Sequence, residues 1–580
     1  MSEDILLSVH RPGQYLGNEW NVSKKDFDSC SLSFALGFPD LYEIGMSNLG
    51  LRILYGVLNN IPDVVCERFF APEADMEAVL KNSNKRLASW ESSRELIGFD
   101  ILGFSLGSEL NYTNVLGILE LSGLPLQSSL RDCRYPLVIA GGPCALNPEP
   151  MADFFDLFII GEAEEAVVDL LNLYRKHKDD YKNGGLSKAG LLLELSQIEG
   201  VYAPSLYAPE YNDAGRLIKK VPDLKVKKRV VANFDSAYFP CNWMVPYVQT
   251  VHDRITLEIM RGCPNRCRFC QARSQYYPLR VRTKEKVVSM ASLAYSSSGY
   301  EELSLAGLSV SDYPGLEKLV SDLTANFKER AVNLSLPSLK AKSLLGNVSS
   351  LIAKIKKTGL TFAPEAGTQR LRQALAKDFS EDDFFKAIEA AYCAGYQHLK
   401  LYFLIGLPGE KEEDLDGIIN FARAASELKK KIKGGAAQIN ISINPLIPKP
   451  HTPLQWLKME SIDSVKEKQN YLRAHCKNKR IRLDFHNIEM GFLEGVLSRG
   501  DRLLSAVILA AYKKGARFDA WSSSFSFARW QEAFSEAGVD PKRYLIEKET
   551  SEILPWDFID MGIDKEDLIA EFNRSQDSAL

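Results

Sequence analysis

Long apolar runs, excess charge and histidine are all scarce in this 580-residue chain, and each scarcity narrows what it can be. No stretch approaches the roughly 20 apolar residues that span a bilayer. The opening MSEDILLSVHRPGQYLG carries early acids and no apolar core, which predicts neither a signal peptide nor a membrane span and points to the cytoplasm. The net charge of -4 leaves no global basic field to advertise nucleic acid, although a local basic groove is not excluded. No internal repeat or low-complexity tract occurs, and no histidine lies between His10 and His177. Cysteine is sparse too. Seven of the ten (Cys30, Cys66, Cys133, Cys144, Cys241, Cys393 and Cys476) lie far apart in apolar or helical settings, as buried thiols in a reducing compartment do.

The other three are crowded into MRGCPNRCRFCQARSQ as Cys263, Cys267 and Cys270, beside Arg261, Arg266, Arg268 and Arg273. Three thiolates on one loop can hold three corners of a four-iron four-sulfur cluster, leaving one iron open because no fourth cysteine is near. An open coordination position is the mark of a catalytic metal centre rather than a structural one. The neighbouring arginines would offset the charge of such a cluster. A zinc site completed by His252, or a fortuitous group of thiols, is the bland alternative.

The chain around this loop alternates strand and helix. From about residue 31 to 176 the apolar runs SLSFALGF, VVCERFF, DILGFSLG, PLVIAGG and DLFIIGE are separated by helical periodicity, which predicts a doubly wound parallel sheet covered on both faces. Ligands of such sheets bind beyond the carboxyl ends of the strands, here Gly37, Ser105 to Gly107, Gly141 to Pro143, and Gly161 with Glu162. A hairpin turning at Asp213 to Gly215 and the basic KVKKRVV, whose lysines read as a solvated face, form a connector. Six further runs, ITLEIM, ELSLAG, VNLSLP, LTFAPE, HLKLYFLIG and QINISINPL, predict an open six-unit α/β barrel. Its active rim is the Cys loop with GLSVSD, SLK, AGTQR, LPGE and IPKPHTP. The division predicted is 1–200, 201–251, 252–456 and a helical tail at 457–580 that covers the barrel, with Trp521, Trp530 and Trp556 in its core.

CPNRCRFC matches the CxxxCxΦC signature, with Phe269 as the aromatic, and the chain resembles the radical S-adenosylmethionine (radical SAM) superfamily. The resemblance implies a 4Fe-4S cluster on Cys263, Cys267 and Cys270 that binds S-adenosylmethionine at its open iron. Reductive cleavage then yields a 5′-deoxyadenosyl radical, with an electron donor such as flavodoxin or ferredoxin. Phe269 would lie against the adenine. TFAPEAGTQRLR, LYFLIGLPGEKEEDL and NPLIPKPHTPLQW resemble segments of the branch that includes the methylthiotransferases, which implies Glu365 and Arg370 facing S-adenosylmethionine or substrate and Ile405, Gly406 and Pro408 near the adenosine. Glu365 also reads as an acid favoured near a helix N-terminus, and His451, between two prolines, as structural.

The first domain resembles the cobalamin-binding domain that precedes many radical SAM barrels, and nearly the whole chain resembles an uncharacterised family built that way. By that likeness Ser105, Gly141 and Gly142 would line a cobalamin site, and methyl transfer to an unactivated carbon is the leading reaction. The DxHxxG motif that supplies a histidine to cobalt is absent. Cobalamin would bind without that ligand, or the strand ends serve another ligand, or the sheet is a docking module. Two other readings stand. One is an RNA methylthiotransferase, for which Cys30 and Cys66 resemble auxiliary-cluster cysteines. The other is a non-catalytic iron-sulfur scaffold or redox sensor. The substrate is not legible, and nucleic acid is not excluded.

Overall fold

The structure, a computed structural model, describes residues 3–579 apart from 214, 337–359 and 378. Its first layer is a sheet of β1 (Leu32–Phe38), β2 (Val64–Phe70), β3 (Ile101–Ser105), β4 (Leu137–Gly141), β5 (Leu157–Ile159) and the antiparallel edge strand β6 (Val201–Tyr202), in the order β2-β1-β3-β4-β5-β6. All seven residues of β1 and of β2 are buried, which is why both read as continuous apolar runs. Strand order reverses between β1 and β3, so their carboxyl ends form the switch point where such sheets bind ligands.

The connector forms the expected hairpin, β7 (Ala208–Tyr211) against β8 (Leu217–Val221). Of its expected turn, residue 214 lies outside the described residues. A short strand, β9 (Val226–Lys227), follows. The basic run is not simply a solvated face. Lys225 and Lys227 are exposed, but Lys228 is buried and donates to the carbonyls of Ser274 and Tyr277 at 2.8 Å, just past the Cys loop.

All six expected barrel strands are present: β10 (Ile255–Glu258), β13 (Glu302–Ala306), β14 (Asn333–Ser335), β15 (Leu360–Glu365), β16 (His398–Ile405) and β17 (Gln438–Pro445). Between the first two, the antiparallel ribbon of β11 (Met260–Arg261) and β12 (Arg280–Val281) brackets the Cys loop. The parallel sheets run β10-β13-β14 and β15-β16-β17-β18, where β18 (Ile481–Phe485) is a seventh strand inside the segment expected to be helical. The expected rim segment SLK lies outside the described residues. Alternation sets the two faces of β16 and β17. Leu399, Leu401, Phe403, Ile405, Ile439, Ile441 and Ile443 enter the core, while Lys400 and Asn440 on the opposite face are exposed.

The tail divides rather than covering the barrel. Helices Ile488–Arg499, Leu504–Lys513 and Phe527–Ala537 share one continuous core with the first sheet, because Leu493, Val496, Val507, Ile508 and Trp530 are apolar and meet its helices. Helix Lys565–Ala579 turns onto the barrel rim, where Phe572 packs beside Trp456. Near it β19 (Ile559–Asp560) pairs with β9. Trp530 and Trp556 are core as expected, whereas Trp521 is half-buried and donates its indole N–H to Asp40 at 2.9 Å.

Candidate active site at the barrel rim

The Cys loop leaves the carboxyl end of β10 through Gly262. This residue has φ +88°, and a Cβ there would lie 2.7 Å from the Pro278 carbonyl and 2.8 Å from that of Tyr276, so the turn requires glycine. Cys263, Cys267 and Cys270 are all half-buried. Asn265 donates to Cys263 Sγ at 3.1 Å, the Cys270 N–H bonds the Cys267 carbonyl at 3.2 Å, and the Arg268 N–H bonds the Leu375 carbonyl at 3.1 Å. Burial pushes the Cys267 and Cys270 thiols up, while Lys377 pulls them down.

Two of the four arginines expected to offset the cluster's charge are committed elsewhere. Arg261 is buried among Glu162, Glu164 and Glu258 at 2.8 to 3.3 Å. Arg268 pairs with Glu571 at 2.9 Å and donates to the carbonyls of Gln373 and Ala374, so it fastens the loop to its neighbours. Arg266 is exposed. The cation beside the thiols is Lys377, which the motif reading missed because it stands seven residues beyond Arg370 and belongs to no signature.

Glu365 ends β15 and pairs with Lys377 at 3.1 Å, and Lys377 Nζ lies 5.7 Å from the Phe269 ring centre. The structure therefore brings Glu365, Phe269 and the cysteine loop together. Arg370 instead pairs with Asp414 at 2.6 Å and donates to the Gly409 and Ala579 carbonyls, which ties it to the C-terminal helix. The Ile405 side chain enters the strand–helix core, and its neighbour Leu404 faces the small cluster that holds Phe269, Leu407 and Leu454. Gly406, with φ +79°, donates its N–H to Glu410 at 2.8 Å, and Pro408 is half-buried beside it.

Beyond the carboxyl edge of the first sheet lies a cavity of about 740 Å³. Ser105, Gly107, Gly141, Gly142, Gly161 and Glu162 line it as expected; from the barrel come Glu258, Met260, Arg261, Gly262, Tyr276 and Gly307. Gly37 does not line it, because its Cα lies under the Phe69 ring, where a Cβ would come within 2.1 Å. At Gly142, with φ +101°, a Cβ would meet the Leu106 carbonyl at 2.8 Å. Asp40 and Asn111 add a polar corner, the Asp40 carboxyl being raised by burial. The volume suits a small-molecule ligand, and the glycines let a broad one approach the backbone closely.

Other readings meet this geometry less well. Among the described residues no group of three or more His, Cys, Asp or Glu side chains could hold a single metal ion. His252 lies at the amino end of β10, opposite the Cys loop, so it cannot complete a zinc site there. In a cluster each thiolate binds a different iron and the thiols need not converge on one point, which the three-cysteine loop fits. Cys30 precedes β1 at the amino end of the sheet, Cys66 lies within the edge strand β2 and Cys144 follows the carboxyl end of β4, and among the described residues they belong to no metal-holding group of three or more such side chains. His451 is buried between segments, its ring 2.9 Å from the Leu146 carbonyl.

The chain matches the family model for the radical SAM superfamily over residues 257–422 and that for the N-terminal region of radical SAM proteins over 50–204. It belongs to the radical SAM superfamily and is a radical SAM enzyme. Within that class it shares a family with the uncharacterized protein MJ0966 of Methanocaldococcus jannaschii, to which it is 30% identical over 502 residues, covering 85% of this chain and 96% of that one. It is also 24% identical over 229 residues to the threonylcarbamoyladenosine tRNA methylthiotransferase MtaB of Bacillus subtilis, covering 37% of this chain and 47% of that one. Among solved structures, the cobalamin-dependent S-adenosylmethionine radical enzyme OxsB aligns with a TM-score of 0.49 at 13% identity, covering 94% of this chain and 79% of that one. Enzymes of this superfamily use a 4Fe-4S cluster and S-adenosylmethionine, and they need a reductant and a substrate. Among the described residues no helix is long and apolar enough to cross a membrane.

Proposed function

We propose that this protein is a cobalamin-dependent radical SAM methyltransferase. Cys263, Cys267 and Cys270 would hold the 4Fe-4S cluster, which would supply the open coordination position and the reducing chemistry for cleaving S-adenosylmethionine, and Phe269 would pack near the adenine. A low-potential donor of the flavodoxin or ferredoxin type supplies the electron.

One observation carries the cobalamin part of this reading. The cavity stands at the switch point of the first sheet, and its far wall is the end of β10 and the start of the Cys loop. A ligand held there lies between the strand ends and the barrel rim, which suits transfer of a group from one to the other. Its lining contains no histidine or cysteine, so cobalamin would be held without a cobalt ligand from those residue types. The residues' own work is to cradle and seal. Gly141 and Gly142 admit the ligand to the backbone, the Asp40 and Asn111 corner accepts donated hydrogen bonds, and Arg261 ties the sheet's Glu162 to the barrel's Glu258 across the wall.

The test is retention of hydroxocobalamin, read by visible absorption after desalting, by anaerobically reconstituted full-length protein and by Ser105→Trp. Stoichiometric retention by the natural chain, lost in the variant while its iron content stays the same, is the expected result. No retention by folded, cluster-loaded protein would sink the proposal and leave the first domain as a docking module.

A further inference from the structure

The last residue of β15 is an acid in a costly conformation. Glu365 has φ +67°, a region that side chains other than glycine's seldom occupy, just where the register of β15 on β16 slips between Phe362 and Glu365. What the strain delivers is placement. The carboxylate meets Lys377 Nζ at 3.1 Å, with side-chain exposures of only 12% and 20%.

Lys377 is then the cation at the Cys loop. Its ammonium stands 5.7 Å from the ring of Phe269, which directly precedes Cys270. Arg261 and Arg268 are already held by carboxylates, Arg261 by Glu164 and Glu258 and Arg268 by Glu571.

We infer that Lys377, aimed by Glu365, sets the reduction potential of the iron-sulfur centre, acting as a fixed charge and not as a ligand. This rests on the reading that the three cysteines hold the cluster. One electron from an external reductant, dithionite in the assay, adds one negative charge to the site and neither makes nor breaks a bond. A buried ammonium beside the sulfurs favours the reduced form, because the charge acts through a poorly screening medium and charge near the sulfurs tunes such centres.

The experiment is a redox titration followed by electron paramagnetic resonance on anaerobically reconstituted full-length protein, with iron and sulfide counted for every variant. Lys377→Met should load normally, titrate at a lower midpoint, and cleave S-adenosylmethionine about 10-fold more slowly, the size usual for losing a group that supports a metal's ligands. Lys377→Arg should bring the midpoint back toward that of the natural protein. An unchanged midpoint in loaded Lys377→Met overturns the inference. Should that variant take up no iron, Glu365→Gln decides, because it removes both the partner that aims the ammonium and the opposing charge: the midpoint must shift, and an unchanged one is fatal. If the natural protein itself takes up no iron and sulfide, the cluster reading fails first, and this inference with it.

Discussion

At the scale of single residues, His451 shows how burial and a charge state are linked. It sits at φ +58° on the loop after β17, its ring bonds the Leu146 carbonyl, and its own carbonyl accepts from Ser274 at 2.6 Å. One residue thus joins the first sheet's loop, the sixth barrel loop and the helix after the cysteines. Burial pushes its pKa from 6.5 down to about 4. The unfolded chain takes up a proton as pH falls through 6.5, whereas the native ring resists until about 4, so the ring's contribution is complete above 6.5 and is lost in acid. By about pH 5 the loss amounts to about 2 kcal/mol. Thermal unfolding at about pH 7.5 and about pH 5 should therefore show a larger acid loss for the natural protein than for His451→Gln, and equal losses would refute the linkage. The pair of flanking prolines made a structural role readable in advance; the partners on distant segments were not readable.

At the scale of elements, the C-terminal helix is a clasp on the cysteine loop. Glu571 reaches Arg268, the Ala579 carbonyl takes the Arg370 guanidinium, and Phe572 packs on Trp456. Helix Lys565–Ala579 thereby touches the loops after β10, β15, β16 and β17. The Arg268–Glu571 pair is largely buried, so leaving Arg268 without its carboxylate should cost about 3 kcal/mol locally. Glu571→Gln is expected to raise amide exchange in residues 262–275 and to hasten iron loss during desalting, while Asn573→Ala, at an exposed position of the same helix, leaves both unchanged. Unaltered exchange in Glu571→Gln would remove the clasp from the account. The sequence showed a helix here and arginines near the cysteines. It did not show that helix and arginines meet, because an ion pair across 303 residues leaves no local signature.

At the scale of the molecule, a buried charge hub fixes how the segments sit together. Glu149, after β4, accepts from Lys220 of the hairpin at 2.7 Å, from Tyr202 of β6 at 2.5 Å and from Arg502 of the tail at 3.1 Å. Lys220 also lies over the Phe558 ring at 3.1 Å. Both cations hold the Glu149 carboxyl below its ordinary range despite its burial. Glu149→Gln would leave two cations without their counter-ion in a dry site, at a cost of about 3 to 5 kcal/mol. The expected reading is a clearly lowered midpoint of thermal unfolding; a midpoint within error of the natural protein's would mean the hub is dispensable. The same packing explains why the expected separate tail is instead part of the first core.

The sequence by itself determined the local chemistry: the cysteine loop, both series of strands and the glycine-rich strand ends. Strand alternation, apolar runs and ligand spacing are properties of neighbouring residues, and they survive in a one-dimensional reading. Tertiary structure alone decided which charges face the thiols, where the tail lies and that a cavity forms between sheet and barrel. Lys377 outranks the nearer arginines because carboxylates from remote segments claim them first. Such competition for partners is settled only when the chain is folded, since it depends on distances in space and on burial, and neither is written in sequence separation.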